Sequence, residues 1–270
     1  MFSHSLTTAQ LIEQYDLLIE KGINRVRLDI PDYQDTTKLA VSKTAVQIAV
    51  NRGLQVVWGV SSNSFNGYTI TATNLPDLQQ AWLDNALWAQ NNGVFEYQVG
   101  NEEELHHDET LTDLQVRDAI RQSSTAVQAI FTRGPVSTAV SSGSNGASAW
   151  ISDANLGDLD AIGLNIYVSS APYGQGMLSS FMTAFGSDKA YVSEFNISGA
   201  SLDTYSTNED IQAVRTAQLI DEIRDIGYKR AYYFCFVNSQ WGAIKTHGGQ
   251  ARILWNVLTT GGGRRWFINI

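Results

Sequence analysis

The seven residues Arg264-Arg265-Trp266-Phe267-Ile268-Asn269-Ile270 (RRWFINI) decide how this 270-residue chain closes on itself. The run Phe267 to Ile270 is a short apolar segment of strand type, set off from the residues before it by the glycine run Gly261 to Gly263. Without it the chain holds seven strand-like segments; with it there are eight, the number at which a parallel α/β barrel closes. The expected fold is therefore α/β, a (β/α)8 TIM barrel forming one domain over residues 1–270. The segment 264–270 is expected to supply the strand that stands before the first helix. Reading the end onto the beginning gives FINI, then MFSHS, then a helix, which is the order an ordinary barrel shows at its start. Gly261 to Gly263 then reads as a joint between older termini, and the expectation is a circular permutation, natural or engineered. The competing reading is a barrel with a truncated first strand and a C-terminal tail.

Working back from that segment, strands and helices alternate throughout. Leu6 to Lys21 has helical spacing, with Leu11, Tyr15, Leu18 and Ile19 on one face, Thr7 or Thr8 as N-cap and Gly22 as the stop. The strand INRVRLDI (23–30) turns Val26, Leu28 and Ile30 one way and Arg25, Arg27 and Asp29 the other. Under the helices of an open sheet the charged face would be buried without partners, whereas in a barrel it converges on the axis. Helices are expected over 38–52, 78–90, 112–131, 148–156, 176–185, 208–226 and 250–258. The inner stripe of 112–131 is read as Leu114, Ala119, Ile120, Val127 and Ile130, and that of 208–226 as Ile211, Val214, Leu219, Ile220 and Ile223. Strands are expected over 54–60, 95–102, 135–141, 159–167, 190–195 and 230–237. Trp82, Trp88, Trp150 and Trp255 fall in helical settings and read as packing.

Composition narrows the function. A formal charge of −9, with no basic cluster longer than Arg264-Arg265, argues against a nucleic-acid partner. No stretch approaches the roughly 18 continuous apolar residues of a membrane helix, and MFSHSLTTAQ lacks the regions of a signal peptide. The single cysteine, Cys235, has no internal partner and reads as core. No His/Cys spacing suggests a zinc site, so no cofactor is expected, and a monomer is.

Chemistry concentrates at two strand ends. FEYQVGNE (95–102) passes in one step from an apolar core to Asn101-Glu102, and AYVSEF (190–195) carries Glu194. Alternation puts both carboxyl groups inward, at the end of the barrel where such folds do chemistry. Two carboxyl groups across a cleft are the minimum for cleaving a glycosidic bond: one protonated to donate to the leaving oxygen, one ionised to attack the anomeric carbon.

The pair GNE (100–102) and VSEF (192–195) resembles glycoside hydrolase clan A, the retaining β-glycosidases built on a (β/α)8 barrel. The resemblance implies Glu102 as acid/base and Glu194 as nucleophile. It also implies Arg27 in VRL steadying the nucleophile's charge, Tyr167 in LNIY bonding it, Asn101 holding a sugar 2-hydroxyl, and Trp241 flooring the sugar site. The implied activity is retaining hydrolysis of β-linked oligo- or polysaccharides, an endo-acting enzyme on a glucan, mannan or xylan; the alternative is a carbohydrate-binding barrel without turnover. A metal-dependent barrel isomerase or lyase would need more inward ligands than these two carboxylates. The chain departs from the clan's pattern in two places. Glu103 and Glu104, not proline, follow Asn-Glu, and the strand ending Trp58-Gly59-Val60 carries no histidine.

Other residues are read from their positions. Asn165 faces inward beside Tyr167, and Trp58 either stacks on a sugar or fills the barrel. Asp29 pairs with Arg27 or reaches a hydroxyl, and Glu96 and Gln98 form inner barrel layers. Glu103, Glu104, His106, His107 and Asp108 read as a solvated acidic loop. Phe65, Tyr68, Tyr173, Tyr205 and His4 sit where loops would border a cleft.

Overall fold

The computed structural model describes residues 6–28, 30–62, 69–168, 175–197, 209–234 and 267–269. Its strands are β1 (Arg25–Arg27), β2 (Gln55–Val60), β3 (Glu96–Asn101), β4 (Val136–Ser141), β5 (Ala161–Val168), β6 (Ala190–Ile197), β7 (Ala231–Phe234) and β8 (Phe267–Asn269). All pair in parallel and in chain order, and β8 pairs both β7 and β1, so the sheet closes. Ile268 lies opposite Val26 on one side and Tyr233 on the other. Residues 267–269 thus take the barrel position expected of the C-terminal segment.

The helices are α1 (Thr8–Glu20), α2 (Thr36–Asn51), α3 (Leu75–Asn91), α4 (Asp113–Ile130), α5 (Ala149–Asp153), α6 (Gln175–Lys189) and α7 (Glu209–Ile226). Thr7 and Thr112 begin α1 and α4 with capping boxes closed by Gln10 and Gln115, which satisfy backbone donors that the first turn leaves open. Gly186, at φ 75° and ψ 162°, leaves helical geometry inside α6, close to the expected stop at 185. The expected helix 250–258, with Trp255, lies outside the described residues, as do Asp29, Cys235 and Gly261 to Gly263.

The main core fills the space between the strands' outer faces and the helices: Val26, Val56, Trp58, Val60, Tyr97, Val99, Ile162, Leu164, Val192 and Phe195 meet Leu11, Tyr15, Val46, Trp82, Ile120 and Leu178. Not every expected stripe residue joins it, and Ile130 is only half-buried. Ile19, Leu114 and Val214 are exposed. The buried stripe of α4 is instead Val116, Ala119, Ile120, Ser123, Ser124 and Val127, and α7 buries Gln212, Ala213 and Thr216 along with Leu219, Ile220 and Ile223.

Inside the barrel the apolar content is small, a cluster of Val57, Ala161, Tyr191 and Tyr232. At the strands' N-terminal ends Arg230 bonds Glu96 and lies 3.7 Å over the Tyr191 ring, while Arg25 bonds Gln55 at the rim. The polar face read in β1 is therefore an interior of paired charges, which is the arrangement that makes buried ions tolerable.

Candidate active site

The site lies at the C-terminal ends of β1, β3, β5 and β6. Its centre is Arg27, 2% exposed, whose guanidinium forks three ways. Nε donates to Gln98 Oε1, Nη1 to Glu194 Oε1 and Nη2 to Asn101 Oδ1, each at 2.7 Å. Burial is the largest influence on Arg27 and opposes its charge, but the Glu194 carboxylate, its hydrogen bond, and Tyr191 and Tyr167 together hold the arginine above its ordinary value. Glu194, 8% exposed, also receives the Tyr167 hydroxyl on Oε2. Its two oxygens are thus met by a cation and a hydroxyl donor, so a buried carboxylate keeps its charge compensated. Burial first, and then the Glu194 charge, pushes the Tyr167 phenol well above its usual range, so it stays a donor.

Glu102 has the opposite surroundings. Burial, followed by the charges of Glu194 and Glu104, raises its carboxyl to about 8, while a hydrogen bond with Asn165 and the Arg27 charge pull the other way. Asn165 Nδ2 also donates to Asn101 Oδ1 at 3.2 Å, and Ser193 Oγ donates to Asn165 Oδ1 at 2.6 Å. One carboxyl is poised to hold a proton near neutrality and its partner is clasped by a cation. That is the division of labour needed when one acid donates a proton and another attacks or stabilises positive charge.

Local backbone breaks make this possible. In β6 the register with β5 shifts between Leu164–Val192 and Asn165–Glu194, and it shifts again against β7. Tyr191 faces the barrel interior and Ala190 and Val192 face the helices. A straight strand would therefore carry Glu194 outward with Val192. The bulge adds a residue, Ser193 and Glu194 both turn inward, and Phe195 resumes the outer core. β3 has a matching irregularity between Gln98 and Asn101. Gly100 sits there at φ 72°, and Asn101 turns in although Tyr97 and Val99, four and two residues before it, pack outward. Glu102 itself adopts left-handed geometry, φ 57° and ψ 34°, which costs a residue other than glycine about 1–2 kcal/mol.

Of the residues singled out in the sequence, Arg27, Asn101, Glu102, Asn165, Tyr167 and Glu194 converge here. Trp58 does not: it is fully buried in the outer core, stacked edge-on with Trp88, its Nε1 donating to Ser42 Oγ at 2.8 Å. It shares the parity of Val56 and Val60, so it faces helices and can neither stack on a ligand nor fill the barrel. Trp241, His4, Phe65, Tyr68, Tyr173 and Tyr205 lie outside the described residues. The solvated acidic loop is also corrected, because Glu103 and Glu104 are buried, 1% and 3% exposed. Glu103 bonds Ser62 Oγ and accepts Ser62 N and Asn101 N at 3.2 Å. Glu104 Oε1 accepts Ser141 N at 2.6 Å. Sequence reasoning also passed over Ser193, whose polar neighbour Glu194 signals a break in alternation. It left Gln98 as a barrel layer, although its oxygen fixes Arg27. No signal near Glu103 or Glu104 marks them for burial, since Ser62 and Ser141, which they bond, lie far away in the sequence. Among the described residues no group of three His, Cys, Asp or Glu side chains could hold a metal ion, and no helix is long and apolar enough to cross a membrane.

No protein-family model and no curated protein matches this sequence. Solved structures do match. The chain is similar to the catalytic domain of the major endoglucanase of Xanthomonas campestris pv. campestris, at 15% identity over 93% of this chain and 88% of that one, with a TM-score of 0.64. A GH113 β-1,4-mannanase matches at 16% identity over 81% and 79%, TM-score 0.60. Bacteroides uniformis β-glucuronidase 2, covalently bound to a cyclophellitol-6-carboxylate aziridine, matches at 11% identity over 91% of this chain, TM-score 0.65. The chain spans 40% and 32% of the length of two β-glucuronidases it matches. At these identities the likeness is one of fold, a TIM barrel shared with glycoside hydrolases.

Proposed function

We propose that this chain is a retaining glycoside hydrolase of clan A, a single domain that cleaves β-linked sugars by double displacement. The observation that carries the proposal is the unequal pair: Glu194 clasped by Arg27 and Tyr167, and half-buried Glu102 beside like charges, its carboxyl raised to about 8. In the first step Glu194 attacks the anomeric carbon while Glu102 passes its proton to the leaving oxygen. In the second, Glu102, now ionised, takes a proton from water, which displaces Glu194 and releases the sugar. Arg27 and Tyr167 hold the nucleophile's charge and line. Asn101 has its oxygen engaged by Arg27 and Asn165, so the donor it can offer a sugar 2-hydroxyl is Nδ2. Trp241 is proposed as the sugar floor on the resemblance alone. The endoglucanase and mannanase among the fold neighbours favour an endo-acting enzyme on a β-linked polysaccharide such as a glucan or mannan, with xylan as a further candidate.

The chain order, helix first with β8 closing the barrel, supports a circular permutation. Moving residues 264–270 ahead of Met1 should then preserve the fold and the site. A collapse of cooperative unfolding in that rearranged chain would count against it.

A screen of aryl β-glycosides and dyed β-linked polysaccharides tests the function, with Glu194→Gln as control. Turnover in the native chain and its loss in the variant are expected. Silence on every β-linked substrate would sink the proposal, and sugar binding that survives in both without turnover would favour the non-catalytic barrel.

A further inference from the structure

Glu102 is held in a backbone conformation that its side chain disfavours, and the two residues after it are carboxylic acids buried on either side of the turn. Glu103 reaches back and across. It accepts the backbone N–H of Ser62, just past β2, and of Asn101, just before Glu102, and bonds the Ser62 hydroxyl. Gly100 leaves the room for it, since a Cβ there would stand 2.6 Å from Glu103 Cγ. Glu104 reaches the other way and accepts the N–H of Ser141 at the end of β4. Its second oxygen, Oε2, is buried with no hydrogen-bond partner among the described residues, an expensive state for a polar atom that serves only packing. Gly146 makes the matching space on that side, because its Cβ would stand 2.6 Å from Glu104 Oε1. The turn is thus tied to three strands through side chains of its own.

We propose that Glu103 and Glu104 are positioning residues for Glu102: together they clamp the left-handed turn that presents its carboxyl. A negative charge on Glu104 also favours the protonated form of Glu102, after burial and the Glu194 charge, although burial raises Glu104's own carboxyl too. The inference rests on the role given to Glu102 above. Strain at a functional residue persists only where surrounding contacts over-determine it, and these two arms supply such contacts from both neighbouring strands. Groups facing Glu102 are Arg27 from β1, Glu194 from β6, Tyr167 from β5 and Glu104 from the turn. Asp113 of α4 faces Glu104, and Tyr33 faces Glu103. Among these, the acidic neighbours Glu194 and Glu104 favour a neutral Glu102 and Arg27 opposes it.

The test uses Glu104→Gln, Glu103→Gln and Glu103→Ala in the full chain, with kcat and KM measured across pH on aryl β-glycosides of good and poor leaving groups. Glu104→Gln keeps the acceptor for Ser141 N and removes the charge. It should move the alkaline limb of kcat/KM to lower pH by about half to one unit. Glu103→Ala should lower kcat about 10²-fold with little change in KM, and more for poor leaving groups, because the proton donor is misplaced. Glu103→Gln, which keeps one acceptor, should recover part of that loss. A 13C titration of the Glu102 carboxyl, assigned against Glu102→Gln, reads the same shift without turnover. If the native chain proves inactive, the functional reading fails while this titration still decides the clamp. An unmoved Glu102 titration in Glu104→Gln overturns the proposal. So does a loss in Glu103→Ala that is equal for both leaving groups.

Discussion

Glu102 and Glu194 differ by what surrounds them more than by what they are. Burial and two like charges raise one carboxyl to about 8, whereas a guanidinium and a phenol meet the other. Turnover should therefore depend on Glu102 keeping its proton, so kcat/KM should fall as pH rises through about 8. The same residue makes stability depend on pH. Its folded value lies above the roughly 4.3 of an unfolded glutamate, so the folded chain retains a proton that the unfolded chain loses. The stabilising contribution is whole below about pH 4 and is lost as pH rises to about 8. Glu102→Gln cannot ionise. Its thermal midpoint should exceed that of the native chain at pH 9 and match it near pH 4, while kcat falls about 10²- to 10⁴-fold. A variant less stable than the native chain at pH 9 would contradict the linkage.

At the scale of strands and turns, irregularities aim the site. Alternation in the sequence placed Arg27, Asn165 and Tyr167 correctly, because β1 and β5 are straight enough for every second residue to face inward. It reached Glu194 for the wrong reason: regular alternation sends Glu194 outward, and only the bulge at Ser193 brings it in. The two adjacent polar residues, Ser193 and Glu194, were the legible trace of that bulge. Trp58 failed because an aromatic near a strand end looks alike whether it faces a ligand or a helix; its parity with Val56 and Val60 was the deciding signal. Burial of Glu103 and Glu104 was not legible, since it depends on Ser62 and Ser141 arriving from neighbouring strands. The turn yields its own prediction at Gly100, where φ is 72° and a Cβ would press on Glu103. Gly100→Ala should cost about 1–3 kcal/mol in denaturant unfolding and lower kcat more than it raises KM. Unchanged stability and kcat would show that the bulge tolerates a side chain.

Across the whole molecule, closure depends on β8, whose Ile268 backbone is paired on both sides. Counting strands in the sequence found it, because a parallel barrel one strand short would leave two open edges. Ile268→Pro removes a ladder donor in a strand with no free edge and should cost roughly 3 kcal/mol or more, broadening the thermal transition. A native-like melt would mean the barrel closes without that pairing. The closed barrel is also what brings Arg27 of the first strand to Glu194 of the sixth, so the chemistry depends on the closure. A covalent trap reports on both: incubation with 2-deoxy-2-fluoro β-glycosides and cyclophellitol aziridines of several sugar configurations, read by intact mass and peptide mapping. One adduct per chain on Glu194, abolished in Glu194→Gln and in unfolded protein, is the expected result. Hydrolysis of a β-glycoside with no adduct from any probe of that sugar, or an adduct on another residue, would contradict a retaining mechanism at Glu194.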